Sequence, residues 1–355
     1  MRCHSRIRTD TQGMALSAAA PTGLGPPDLV AAYGLPSSGA HGKTVAIVDA
    51  YDNPNAEADL AVYRAQYGLP PCTTANGCFR KVNQLGQPGP YPIPDQGWSG
   101  EISLDVDMVS AVCPDCKILL VEANEPSTDA LGAAVNMAVQ LGASAVSNSY
   151  GGPEDASIVD ADELYFHHPG VTITVSAGDT GTGAAYPATG KYVTAVGGTT
   201  LARSTQNSRG WVESAWGKGF FSKYLGGTGS GCSKFISKPS FETDTKCANR
   251  MESDVSAVAD PATGPAVYDT YGYGGWLTVG GTSASAPIIA GIYTLTGHAG
   301  AEANFSYTNP GAFFDVTSGS NGWFCHASYF CNGKVGYDGP TGNGTPNGPA
   351  LLALP

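Results

Sequence analysis

The stretch Gly280-Gly-Thr-Ser-Ala-Ser-Ala-Pro287 sets Ser283 just ahead of Ile288, Ile289, Ile292 and Leu295, which repeat with helical spacing. A serine there has unpaired main-chain N–H groups and the positive end of a helix dipole beside it. That setting suits a hydroxyl that attacks a carbonyl and leaves an oxyanion. The rival reading is a Thr282 or Ser283 cap on a helix that needs small residues for packing. Pro287, read as lying in the first turn, fits both, because its missing N–H costs little there. A nucleophilic serine also needs a base. The six histidines are His4, His41, His167, His168, His298 and His326, and none opens a helix after Asp49, which follows the first apolar strand. The next helical segment carries Gly97-Trp-Ser-Gly-Glu-Ile-Ser-Leu-Asp105 instead. Glu101 and Asp105 are four apart and share one helix face, opposite Ile102, Val106 and Val109. Two acids so placed repel when both are charged, and one pKa rises. The plainer account is that acids favour a helix N-terminus. Asp179, in Val175-Ser-Ala-Gly-Asp-Thr-Gly181, reads on its own as a turn residue after a buried strand.

Taken in order along the chain, these motifs resemble those of the sedolisins, serine-carboxyl peptidases related to the subtilisins. The resemblance runs from about Pro27 to Pro346, with Gly280 where the family usually has Ser. It implies that Ser283 is the nucleophile and Glu101 its base. Asp105 would hold and tune Glu101, and a protonated Asp179 would stabilise the oxyanion with the Ser283 N–H. By analogy, Ser147, Ser149, Tyr150 and Gly151 in Ser147-Asn-Ser-Tyr-Gly-Gly152 hydrogen-bond the substrate backbone. Asp315-Val316-Thr317 and Gly336-Tyr337-Asp338-Gly-Pro-Thr-Gly342 are similar to the family's calcium site. One structural calcium would then be held by Asp315, Asp338 and the carbonyls of Val316, Lys334 and Gly336, with Lys334 where relatives often have Gly. Oxygen ligands without thiolate or imidazole fit calcium rather than zinc. The activity implied is a secreted endopeptidase cutting protein or peptide substrates, best between about pH 3 and 5 because carboxyls replace histidine. It would be made with an N-terminal prosegment and act as a monomer. Two alternatives stand beside it: a His-dependent subtilisin-type peptidase using Asp49, and a catalytically inactive secreted binding protein on the same scaffold.

The elements that must position these residues alternate. Apolar runs at Thr44–Val48, Lys117–Glu122, Ala145–Ser149, Val171–Ser176 and Tyr192–Val196 read as buried strands. Helical patterns lie between them: about Pro54, after an Asn53 cap, to Tyr67, then Glu101–Val112, Thr128–Leu141 and Asp155–Phe166, with Thr282–Thr296 last. This predicts an α/β fold, one large subtilisin-like domain whose mostly parallel sheet carries helices on both faces. Ligands bind such sheets at the carboxyl ends of the strands. Residues 200–280, rich in Gly and aromatics, read as hairpins and loops. Residues 1–24 read as a tail or the remnant of a processed segment, leaving 25–355 as the peptidase domain.

Among 355 residues, 30 acids against 18 bases give a net charge of −12, with no basic run, which argues against a nucleic-acid partner. No apolar stretch approaches the roughly 18 residues of a membrane span. Of the nine cysteines, eight fall in local couples: Cys72/Cys78, Cys113/Cys116, Cys232/Cys247 and Cys325/Cys331. Zinc would want a second CxxC or a His pair, and a redox CxxC normally opens a helix, so four local disulfides are expected. Low charge, high Gly and disulfides together favour an exported protein.

Overall fold

The computed structural model describes residues 1–217, 226–322 and 328–355. Two short strands come first, β1 (Arg2–Cys3) and β2 (Arg6–Ile7), then helix α1 (Pro26–Tyr33). The sheet and its crossovers follow: β3 (Thr44–Ala50), α2 (Ala56–Gln66), β4 (Phe79–Asn83), α3 (Gln96–Val112), β5 (Lys117–Ala123), α4 (Thr128–Gln140), β6 (Ala145–Asn148), β7 (Tyr150–Gly151), α5 (Ile158–Tyr165) and β8 (Thr172–Ser176). After β9 (Thr180–Thr182) come β10 (Thr194–Arg203), β11 (Trp211–Ala215), β12 (Gly227–Ser237), β13 (Asn249–Glu252), β14 (Val255–Val258), β15 (Ala266–Asp269) and β16 (Gly275–Gly280). Helix α6 (Thr282–Leu295) then carries the serine motif.

The main sheet has the order β11-β10-β8-β6-β3-β5-β4, with β14 also on β10. All its pairings are parallel except β10 with β11. Strand pleating then decides what each face holds. On β3, Val45 and Ile47 join a core with α3 and α6, while Ala46, Val48 and Ala50 join a second core with α4. The same alternation on β5, β6 and β8 turns Glu122, Ser147 and Ser176 toward the α3/α6 side, as it does Asp49 on β3. Polar residues at the carboxyl ends of four strands thus meet the helix bearing Glu101 and the helix bearing Ser283. The single subtilisin-like α/β domain read from the sequence is what the chain adopts.

Several boundaries differ from the sequence reading. Helix α3 begins at Gln96, because the Asp95 carboxylate caps it by accepting from Trp98 N–H at 2.9 Å. Glu101 therefore lies in the second turn, past the reach of the helix dipole end, so dipole complementation does not explain it. Asn53 does not cap α2; its amide donates to Ser99 O and Ser103 Oγ and ties that loop to α3. Strand β10 runs to Arg203, and β14 adds a parallel strand where only hairpins and loops were expected. Pro287 is the sixth residue of α6, inside the helix rather than in its first turn.

Three of the expected disulfides are formed: Cys72–Cys78, Cys113–Cys116 and Cys232–Cys247. The fourth couple involves Cys325, which lies outside the described residues, as does His326. Residues 1–24 pack on the domain: β1 pairs with β7 and β2 with β16, both antiparallel.

Candidate active site

Helix α6 is buried along its whole length, and Ser283 is its second residue. Gly291 of α6 allows α3 to come close, since a Cβ there would lie 2.6 Å from Val112. The two helices thereby bring Ser283 and Glu101 together at the carboxyl ends of the strands. Pro287 withdraws the N–H that would have reached the Ser283 carbonyl four residues back. Ser149 supplies a replacement, its hydroxyl donating to Ser283 O at 3.3 Å, while Ser283 Oγ donates to Ser149 O at 3.3 Å.

Glu101, Asp105 and Asp49 are fully buried beside this pair. Both oxygens of Asp49 and Asp105, and Glu101 Oε1, lack any hydrogen-bond partner. Burial pushes the Glu101 carboxyl up, opposed by the nearby Ser283 and Ser5 hydroxyls. Asp105 is pushed well up by burial and then by the charges of Asp49 and Glu101, and Asp49 by burial, Glu101 and Glu122. Ser283 Oγ thus has two acceptors within reach: Ser149 O, which it uses, and the unpartnered Glu101 Oε1. Among the described residues no histidine hydrogen-bonds Ser283 Oγ, and His4, in the cleft, directs Nδ1 to Ser176 Oγ at 2.8 Å.

Asp179 follows β8 and faces the start of α6. Its Oδ1 accepts from Thr282 N–H at 2.8 Å and from the Thr282 hydroxyl at 2.9 Å, while Oδ2 has no hydrogen-bond partner. Burial raises its pKa to about 6 against the hydrogen bonds from Thr282 and the charge of Arg6. Arg6 Nε lies 3.4 Å from Oδ2.

The cleft between β7 and β16 holds an extended strap, Arg2–Ile7. Arg2 pairs with Gly151 and Cys3 with Tyr150, and His4 N–H donates to Ser149 O at 3.2 Å. Ser5 N–H donates to Glu101 Oε2 at 2.9 Å, and beyond it Arg6 pairs with Gly280 and Ile7 with Val279. Gly281, at φ +93°, leaves room for this strap: a Cβ there would lie 1.9 Å from His4 O and 2.6 Å from Asp179 Oδ2. The His4 ring is buried beside a cavity of about 470 Å³ lined by Gly151, Gly178, Asp179 and Ala185.

Residues 36–304 match the Subtilase family model. Kumamolisin of Bacillus sp. (strain MN-32) is 32% identical over 395 aligned positions, covering 99% of this chain and 67% of that protein. Among solved structures, Pseudomonas sedolisin (serine-carboxyl proteinase), complexed with two molecules of pseudo-iodotyrostatin, matches with a TM-score of 0.78 and 26% identity. That match covers 95% of this chain and 98% of the other. The chain belongs to the sedolisin family. Tripeptidyl-peptidase 1 of Dictyostelium discoideum is a further sedolisin relative, 26% identical over 82% of this chain and 51% of that protein. The chain thus spans about two thirds of kumamolisin and about half of the tripeptidyl-peptidase.

Of the residues expected to bind substrate in this sedolisin, Ser149, Tyr150 and Gly151 border the strap. Ser147 sits within β6, its hydroxyl buried and unpartnered. Near the C-terminus, Asp315 accepts from Gly336 N–H at 2.9 Å and Asp338 from Lys334 N–H at 2.8 Å, so two carboxylates face one loop. Val316, next to Asp315, is buried. Among the described residues no third Asp, Glu, His or Cys joins them, so any further ligands there would be main-chain oxygens. The sequence reading missed three features of this site. Asp49 was weighed only as a partner for histidine. Ser149 is read there only as hydrogen-bonding the substrate backbone, and the strap only as part of a tail or the remnant of a processed segment. The period-2 pattern of β3, which turns Asp49 toward α3, was the signal available for the first.

Proposed function

We propose that this chain is an acid-acting serine-carboxyl endopeptidase. The observation that carries the reading is Ser283 beside a buried carboxyl set, with no histidine base among the described residues. Ser283 Oγ attacks the substrate carbonyl carbon as Glu101 takes its proton. Asp105, fully buried near Glu101, tunes that transfer, and Asp49 adds a third carboxyl to the shared proton set. Asp179 Oδ2–H and the Ser283 N–H stabilise the oxyanion. Collapse expels the amine, which Glu101 protonates, and water then releases the acyl group.

Acid action follows from the two demands on these carboxyls. Asp179 must keep its proton, which sets the upper limb near its raised pKa of about 6. The base must lose one, which sets the lower limb. The high pKa of Glu101 belongs to the strap-filled cleft, and water admitted on the strap's departure removes part of the desolvation. A cleft that accommodates extended chain on both sides of Ser283 favours endopeptidase over tripeptidyl-peptidase action. Three disulfides support secretion. The Asp315–Asp338 pair, with the carbonyls of Val316, Lys334 and Gly336, supports one structural calcium.

Digestion of an unfolded protein between about pH 2.5 and 8, with cut sites mapped by mass spectrometry, tests the reading. A bell-shaped profile with its maximum on the acid side, abolished by Ser283→Ala, is expected. A maximum near pH 8, or cleavage by the Ser283→Ala protein, overturns it.

A further inference from the structure

Asn53 is fully buried in the loop that leaves β3, and its side chain uses both ends of its amide. Its Oδ1 accepts from Asn55 N–H at 2.9 Å. Its Nδ2 donates across to α3, to Ser99 O at 3.3 Å and to Ser103 Oγ at 3.0 Å. Those two residues stand on either side of Glu101, one before it and one after. The Ser103 hydroxyl passes the link on, donating to Asp269 Oδ2 of β15 at 3.0 Å. Asp52 adds a second tie. Its N–H donates to Ile93 O at 3.2 Å, and its carbonyl accepts from Asp95 N–H at 3.3 Å. Asp95 is the cap from which α3 starts. The first two turns of α3 are therefore placed by the Asp52–Asn53 pair, just beyond Asp49.

The pair is itself clamped from the sheet edge. Lys81 of β4 donates to Asn53 O at 2.9 Å and pairs with the Asp52 carboxylate. Glu122 of β5 is the register partner of Asp49 and accepts from Asn53 N–H at 3.1 Å. Its Oε1 also lies 3.3 Å from Lys81 Nζ. The Glu122 side chain is fully buried and that of Lys81 largely so. Withdrawing charges from water is costly, and apolar packing would hold a loop as firmly. Two charges converging on one residue do something packing does not: they fix the directions of its N–H and C=O.

We propose that Asn53 is a positioning residue for the general base: clamped by Lys81 and Glu122, it sets where α3 holds Glu101 relative to Ser283. The assignment rests on the peptidase reading above and deepens it at the same site. Proton transfer from Ser283 Oγ is sensitive to displacements of about 1 Å, so a small drift of α3 slows the chemistry. The edges that receive extended chain, β7 and β16, take none of these hydrogen bonds, so binding is decoupled from them.

Turnover of a peptide substrate at about pH 4, counted per site by titration with a peptide aldehyde, tests this. Asn53→Ala lowers kcat roughly tenfold or more and leaves KM within about twofold. In the Glu101→Gln protein, followed on an activated peptide ester, Asn53→Ala adds no further loss, because no base remains to be placed. Lys81→Met lowers kcat in the same way, and Lys81→Arg recovers most of it. Ser103→Ala removes a single hydroxyl from the link and carries both measurements if Asn53→Ala fails to fold. An unchanged kcat, a loss that falls on KM, or an equal loss in the Glu101→Gln background overturns the proposal and leaves the peptidase reading standing. Digestion of unfolded protein by the Ser283→Ala chain overturns both readings.

Discussion

Ser149 and Ser283 hold each other through two reciprocal hydrogen bonds, each hydroxyl donating to the other's carbonyl at 3.3 Å. The arrangement depends on Pro287, whose missing N–H leaves the Ser283 carbonyl to Ser149. Measured in the Ser283→Ala protein to prevent self-digestion, Ser149→Ala should cost ~1–2 kcal/mol. Pro287→Ala restores a helical N–H to that carbonyl, so in the double variant the Ser149 loss should be smaller. Denaturant midpoints for the four proteins give the coupling, and strict additivity would show that the two residues act independently.

The buried carboxyls make stability depend on pH in an unusual sense. A carboxyl whose pKa is higher folded than unfolded keeps its proton longer in the native state, so stability falls as pH rises. Burial raises Glu101 from 4.5 to about 8, and Asp49 and Asp105 shift the same way. The stabilisation is complete below about pH 4 and is lost progressively toward pH 8. The Ser283→Ala protein should therefore melt lower at pH 8 than at pH 5, and Asp49→Asn should flatten the decline. A Tm that rises over this interval contradicts the protonated cluster.

Asp179→Asn separates hydrogen-bond donation from titration. An amide donates at every pH, so activity should survive and its upper limb should move above the Asp179 pKa of about 6. Initial rates from pH 3 to 8 provide the check. An unmoved upper limb would assign it to another group.

Removal of calcium should lower Tm, because an ion bound only by the folded state stabilises it. Asp315→Asn and Asp338→Asn should each reduce the response to chelator. A melting curve unaffected by chelator, with no calcium in the purified protein, would reject the site.

The sheet, its order of strands and helices, and the α3/α6 pair were legible because apolar runs alternated with helical patterns in the sequence. Ser283 and the Glu101/Asp105 pair drew attention by spacing, whereas Asp179 read alone as a turn residue, and the roles of all four came from the resemblance to the sedolisins. Asp49 did not, since its proximity to Glu101 arises from strand pleating against a helix some fifty residues away. The start of α3 was set at Glu101 because the apolar stripe begins at Ile102, whereas the Asp95 cap begins the helix five residues earlier, at Gln96. The strap was illegible because its few polar residues carry no periodicity; their place comes entirely from edge-strand pairing.

Helix α6 has one more consequence. All fourteen of its residues are buried, with the sheet behind and α3 across it. Such an element has no route to exposure by fraying, so it opens only when the whole domain does. A peptidase in its own solution is attacked chiefly through partly open molecules. Here the helix that bears Ser283 belongs to the last foldon to open, and its loss tracks the global unfolding rate. The lifetime of the enzyme among its own copies is then a kinetic barrier, placed in the same helix that carries Ser283.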